Sequence, residues 1–354
     1  MTSTFGEAVA VRAGEDLDWD RLKDYLGEHL GTAAEMTVAQ FPNGAANLTY
    51  LIHLDGRPLV FRRPPFGALA PGAHDMRREF RVLSRLWSAY PRAPRALLFC
   101  DDHSIVGSDF LVSEYRTGQM VWSELPEGWA HLPNPARSLG FAVVDALADL
   151  SVIDPASCGL AELGRPQGFV RRQVDGWTDR WRRVANPDCD ETMMLASALL
   201  SAQLPEAQRV AILHNDFKID NCQFAVDDPS RVTSVFDWDM ATLGDPLVDL
   251  GTLLNYWPDP ADTPDDRALV YPGLPQLGLP TRAEIAARYA ERTGLSVAAI
   301  AWYEAFASWK TATVREQLYY RFRNGESSDP RMGQLHENVG MLARRAVRLL
   351  REPH

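Results

Sequence analysis

The sequence predicts a two-lobed α+β protein, with a β-rich N-terminal lobe over residues 1–116 and a largely helical C-terminal lobe over 117–354. Three observations carry this expectation. The chain has 354 residues, more than the roughly 250–300 at which a single hydrophobic core stops growing. Residues 36–63 alternate apolar and polar around an Asp55-Gly56 turn, the pattern of a β-meander with a tight hairpin. From Pro135 onward helical spacing dominates, broken by one strand-rich stretch at 209–240 that falls in the second lobe.

Taken in order, residues up to about 30 end in an amphipathic helix with Leu17, Leu22, Tyr25 and Leu26 on one side. Strands follow over MTVAQF, NLTYLIHL and RPLVFRR, with the loop PNGAAN between the first two. Alternation puts Val60 and Arg62 on one face of the third strand, and Leu59, Phe61 and Arg63 on the other. Asp75 to Trp87 reads as a helix whose stripe is Met76, Phe80, Leu83 and Trp87, with Glu79 beside it. RALLFC and DFLVSEY give two more strands, and SLGFAVVDALADLSVI a buried central helix of the second lobe. Residues 257–282 hold six prolines and little periodicity, which suggests a cover over a binding site. The remaining helices are expected over 281–293, 296–323 and 332–351, with Trp302, Phe306, Trp309 and Tyr319 in the core or facing a cleft.

Composition narrows the function. The net charge of −11 argues against nucleic acid or an anionic membrane surface as the main partner. Four scattered cysteines without a C-x-x-C pair read as reduced thiols in a cytoplasmic protein. There is no signal-like segment at the N-terminus, and no apolar run approaches the ~20 residues of a membrane span.

The chemistry concentrates in RVAILHNDFKIDNCQFAVDDPSRVTSVFDWDMATLGDPLVDLG, residues 209–251. Three short β-branched runs make strands, DDPSR supplies a turn, and His214, Asp216, Asn221, Asp237 and Asp239 sit at strand ends. Such a set suits phosphoryl transfer, which needs a carboxylate at the attacking hydroxyl and hard oxygen ligands for Mg2+. Asp245 and Pro246 open a helix with Leu247, Leu250, Leu254 and Trp257 as its stripe, and Asp249 is expected to brace the preceding loop by hydrogen bonds.

The spacing H-x-D-x4-N, with an Asp about sixteen residues later, resembles the catalytic loop of protein kinases. HNDFKIDN followed by FDWDMATLGDPLVDL resembles more closely the aminoglycoside phosphotransferase and choline kinase-like family, in particular the kinase-like domains fused to acyl-CoA dehydrogenases. The resemblance implies a two-lobed protein-kinase-like fold and transfer of the γ-phosphoryl of ATP, with GTP as the alternative nucleotide, to a hydroxyl of a small molecule. It makes Asp216 the catalytic base, with Lys218 reaching the transferred phosphoryl or the substrate. Asn221 and Asp237 become Mg2+ ligands, with Asp239 in metal contact or behind it, and His214 an organiser of backbone. Arg62 takes the place of the strand lysine and Glu79 becomes its partner. Val60 roofs the adenine, main-chain groups of Glu114 and Tyr115 read its edge, and Gly44 marks the phosphate-covering loop.

The sequence departs from the pattern at three points. Gly44 is the only glycine of its loop, the strand lysine is missing, and Asn215 stands where relatives carry glycine. Two alternatives follow. One is a catalytically silent nucleotide-binding module, or pseudokinase. The other is a metal-dependent hydrolase on His214, Asp216, Asp237 and Asp239.

Overall fold

A computed structural model describes residues 8–31, 34–42, 47–66, 75–327 and 329–352. The chain runs α1 (Trp19–Leu30), β1 (Met36–Gln40), β2 (Leu48–Leu54), β3 (Arg57–Arg63), α2 (Met76–Leu86), β4 (Ala96–Cys100), α3 (His103–Val106), β5 (Phe110–Glu114) and β6 (Gln119–Met120). It continues through α4 (Pro135–Ser151), α5 (Phe169–Val184), α6 (Asp190–Ala202), β7 (Ala211–Leu213), β8 (Cys222–Ala225), β9 (Asp228–Val235) and β10 (Thr242–Gly244). It ends with α7 (Leu247–Asn255), α8 (Pro264–Arg267), α9 (Arg282–Thr293), α10 (Ile300–Arg323) and α11 (Val339–Arg351).

Two compact units emerge. The first comprises residues 1–120, 156–160 and 220–241, and the second 121–155, 161–219 and 242–354. Against the expected boundary at 116, the first unit runs on to 120 and takes in 156–160 and the hairpin β8–β9, while 209–219 stay with the second. The cause is local pairing. β8 hydrogen-bonds to β6 as well as β9, and the Val235 N–H and the Ser234 hydroxyl both donate to the Arg92 carbonyl, at 2.8 and 3.2 Å.

In the first unit a five-stranded sheet has the order β1-β2-β3-β5-β4. Asp55 and Gly56, both at positive φ, make the expected β2–β3 turn. Leu22 and Leu26 of α1 close one core with Tyr50, Ile52, Leu59, Phe61, Phe110 and Val112. The Asp75 carboxylate caps α2 by accepting from the Arg78 N–H. The stripe of α2 differs from the expected one: Met76, Glu79, Val82, Leu83 and Leu86 are buried. Phe80 lies at the margin against Phe99, and Trp87 is 36% exposed under Arg95. The β8–β9 turn is also tighter than DDPSR implied. It falls on Val226-Asp227, and β9 starts at Asp228 with Pro229 inside the strand.

The second unit is helical, with a two-stranded β7–β10 sheet. All nine residues of α7 are buried, because Gly251 lets it lie on α10; a Cβ there would meet the Tyr303 backbone at 2.5 Å. α10 buries Trp302, Phe306 and Trp309, while Tyr319 stacks on His336. It starts at Ile300, four residues after the expected start, and the last expected helix divides into a 3-10 stretch over Pro330–Asn338 and α11. The proline-rich segment is a packed structure containing α8. The Trp257 indole donates to the Pro280 carbonyl at 2.7 Å, and Arg282 grips the Leu254 and Trp257 carbonyls and Asp262. Among the described residues the cysteines are free, and no helix is long and apolar enough to cross a membrane.

Candidate active site

The first unit assembles a charged cluster around β3. Its alternation separates two adjacent arginines. Arg63 turns to the core face, where it is buried and donates to the Pro64 and Val106 carbonyls at 3.0 Å each. Arg62 turns to the other face and forks: one guanidinium nitrogen meets Glu79 Oε1 at 2.6 Å and the other pairs with Asp237 Oδ1. Neither arginine is a solvated strand end. A planar guanidinium can bridge two carboxylates in this way, whereas an ammonium is a point charge. Burial disfavours the Arg62 charge, but Glu79, Asp237 and Asp239 together hold its pKa above the ordinary arginine value. Burial pushes Glu79 up to about 8 against the pull of Arg62.

Hairpin pairing fixes the neighbours of this cluster. Cys222 is registered with Val235, and the Phe236 N–H donates to the Asn221 carbonyl at 2.9 Å. Asn221 and Asp237 thus flank the open end of one hairpin. Asp237 adopts φ +73°, a left-handed conformation that aspartate tolerates better than most residues and that strains the backbone by about 1 kcal/mol. Asn47, buried at the start of β2, donates to Asp239 Oδ2 at 3.2 Å. Hard oxygen donors from one amide and one carboxylate fit Mg2+, which takes few protein ligands and completes its shell with water and phosphate. Among the described residues no group of three or more His, Cys, Asp or Glu gathers to hold a metal.

The second unit organises the loop after β7. Asp249, fully buried in α7, accepts from the His214 and Asn215 N–H groups, both at 2.7 Å. It thereby braces the loop, and burial raises its pKa against the favourable effect of these bonds and of His214. His214 is buried, and its Nδ1 accepts from the Asp216 N–H at 3.3 Å. Asn215 stands at φ +70°, the left-handed conformation that glycine would adopt without strain. Lys218 Nζ lies 3.3 Å from Asp216 Oδ2 and 5.4 Å from the centre of the Tyr256 ring. Asp245 accepts from the Leu247 N–H at 3.0 Å and from the Tyr303 hydroxyl at 2.5 Å, tying the start of α7 to α10. Asp249→Asn leaves one of the two loop N–H groups without its acceptor. The expected result is about 1–3 kcal/mol less stability, read by chemical or thermal melting.

The expected residues are thus distributed over two groups. Arg62, Glu79, Asn221, Asp237 and Asp239 belong to the first unit with Val60, which pairs with Ser113 of β5. Asp216, Lys218 and His214 belong to the second, and the chain crosses between them at 219–220. The Glu114 N–H is already donated to the Arg95 carbonyl at 3.0 Å, and its carboxylate accepts from the Arg95 N–H and Arg116. A base edge would therefore have to be read by groups other than that amide. Gly44 lies outside the described residues. Sequence reasoning missed Asn47 and Lys310. Asn47 gave only the signal of a polar residue opening a strand, and Lys310 that of a lone lysine inside an apolar helix.

Comparison with known proteins agrees with this architecture. The phosphotransferase enzyme family matches residues 37–306. The chain is 31% identical over 339 residues to Acyl-CoA dehydrogenase family member 10 of Mus musculus, covering 94% of this chain and 31% of that protein. It spans less than half the length of such relatives. Among solved structures, a protein of Ralstonia eutropha JMP134 provisionally described as an aminoglycoside phosphotransferase superposes with a TM-score of 0.75 at 24% identity, covering 94% of this chain and 99% of that one. The aminoglycoside phosphotransferase APH(4)-Ia, in ternary complex with ADP and hygromycin B, gives 0.59 at 17% identity over 93% and 98%. At these identities the structural likeness establishes the two-lobed kinase-like fold. With the match running through β1–β3, the Asp216 loop, the β8–β9 hairpin and the start of α10, the chain belongs to the phosphotransferase enzyme family.

Proposed function

We propose that the protein transfers the γ-phosphoryl group of ATP to a hydroxyl group of a small molecule. Asp216 orients and deprotonates the acceptor hydroxyl. Lys218, held beside Asp216 and over Tyr256, offers its ammonium to the transferred phosphoryl. Asn221 and Asp237 hold Mg2+, with Asp239 steadied by Asn47 behind them. Arg62, set by Glu79, binds the phosphates, and Val60 with main-chain groups of the 113–118 segment contacts the base. When bound, Mg2+ neutralises phosphate charge that builds up during transfer.

The observation that carries this reading is the Arg62 fork between Glu79 and Asp237. The missing strand lysine is the strongest sequence argument for a silent module. The fork weighs against it, because a permanently charged side chain on that strand is paired with a helix glutamate and with a proposed metal ligand.

The relatives guide the choice of acceptors to test. The relative at 31% identity is named as an acyl-CoA dehydrogenase family member, whereas the complex with hygromycin B stands at 17%. Hydroxyacyl thioesters therefore head an acceptor panel that also holds hydroxy acids, amino alcohols and amino sugars. The test is coupled ADP release over this panel with Mg-ATP. Acceptor-dependent release is expected, and chelating divalent cations should abolish it. Binding of Mg-ATP without release from any acceptor would favour the silent module, and turnover that persists under chelation would remove the metal role of Asn221 and Asp237.

A further inference from the structure

Lys310 is one of only three lysines in the chain. It lies within α10, 9% exposed, and its ammonium sits 5.7 Å from the centre of the Trp177 ring. Burying a charge is costly unless it is matched by strong partners. Its ammonium makes two hydrogen bonds to one residue: Nζ donates to the Asn215 carbonyl at 2.9 Å and to Asn215 Oδ1 at 3.3 Å. Burial pulls the Lys310 pKa down, and the carboxylates of Asp216 and Asp249 act against that.

The polar groups of Asn215 are thereby engaged from two helices. Its N–H goes to Asp249 of α7, and its carbonyl and side-chain oxygen go to Lys310 of α10. The next amide, that of Asp216, donates to His214 Nδ1. The peptide plane between Asn215 and Asp216 is therefore held at both ends, its oxygen by Lys310 and its N–H by His214. Asn215 meanwhile sits at φ +70°, a conformation that persists in a non-glycine residue only when its surroundings over-determine it.

We propose that Lys310 is a positioning residue for Asp216: by locking the Asn215 carbonyl it fixes the direction in which the Asp216 side chain leaves the loop. This rests on the reading of Asp216 as the base. A neutral residue would satisfy the fold at lower desolvation cost. The ammonium supplies instead a charge-assisted hydrogen bond stiff enough to hold a strained peptide.

The test uses the full chain with Lys310→Met, which keeps the length and apolar stem, and Lys310→Gln, which keeps a neutral donor. Three measurements are made: ADP release over the acceptor panel above, Mg-ATP binding by calorimetry, and amide hydrogen exchange. For Lys310→Met the expected kcat is about 10²-fold lower, the cost of a small misplacement of a reacting group, with ATP KM and Mg-ATP affinity unchanged. Exchange at the Asp216 and Phe217 amides should quicken while α4 and α9 keep wild-type rates, and Lys310→Gln should fall between. Unchanged kcat in Lys310→Met, a change in KM alone, or exchange quickened throughout the second unit in both variants would each overturn the proposal. If the wild-type chain releases no ADP with any acceptor, the phosphotransferase reading fails. Local exchange then still decides whether Lys310 holds the loop.

Discussion

Asp216→Asn is expected to lower acceptor-dependent ADP release by about 10²–10⁴-fold, the usual contribution of a general base, while Mg-ATP affinity stays at the wild-type value. The substitution is nearly isosteric, so the scaffold of the loop survives it. The Asp216 N–H still reaches His214, and Asp249 still holds the two preceding amides. What disappears is the proton acceptor beside Lys218. The separation of effects is the informative part. A variant that turns over at the wild-type rate would strip Asp216 of its role. One that loses ATP binding together with turnover would mean that the carboxylate serves nucleotide binding instead. Single-turnover ADP release and calorimetry distinguish these outcomes.

Arg345→Met should destabilise the second unit by about 3–5 kcal/mol, the cost of removing one partner from a buried ion pair, and lower its melting temperature by roughly 10 °C. Arg345 is 1% exposed. It donates to Glu304 Oε1 at 2.5 Å and to the Asn255 carbonyl at 2.9 Å, with Asp266 at 3.7 Å. Arg282 and Arg348 extend the network through Glu304 and Asp266. This network joins α10, α11, the end of α7 and the proline-rich segment. With Arg345 gone, Glu304 is left with the longer 3.4 Å contact to Arg282. The double variant Arg345→Met/Glu304→Met should recover part of the loss, because it leaves no uncompensated carboxylate. A melting temperature equal to wild type in the single variant would show that the network carries little energy.

Several features of the proposed site were legible in the residues because they are local. The spacing of His214, Asp216, Asn221 and Asp237 is a property of a loop and one hairpin, and strand alternation alone put Arg62 and Val60 on one face. The glycine that the resembled family carries at position 215 pointed to the left-handed conformation of Asn215, whereas nothing in FDWD separates Asp237 from an ordinary strand end. The α2 stripe was misread for a related reason. Glu79, paired with Arg62 from a different element, is buried, and Val82 and Leu86 share its face in place of Phe80 and Trp87.

Sequence by itself determined the order of the main strands and helices, the family and the short-range spacing at 214–239. These rest on period, turn chemistry and covalent spacing, all of which act within a few residues. Tertiary structure alone decided that Arg62 also pairs with Asp237, that β8–β9 groups with the first unit, and that Lys310 reaches Asn215 across 95 positions of chain. Such partners are chosen by packing, and packing compares residues that the sequence keeps far apart.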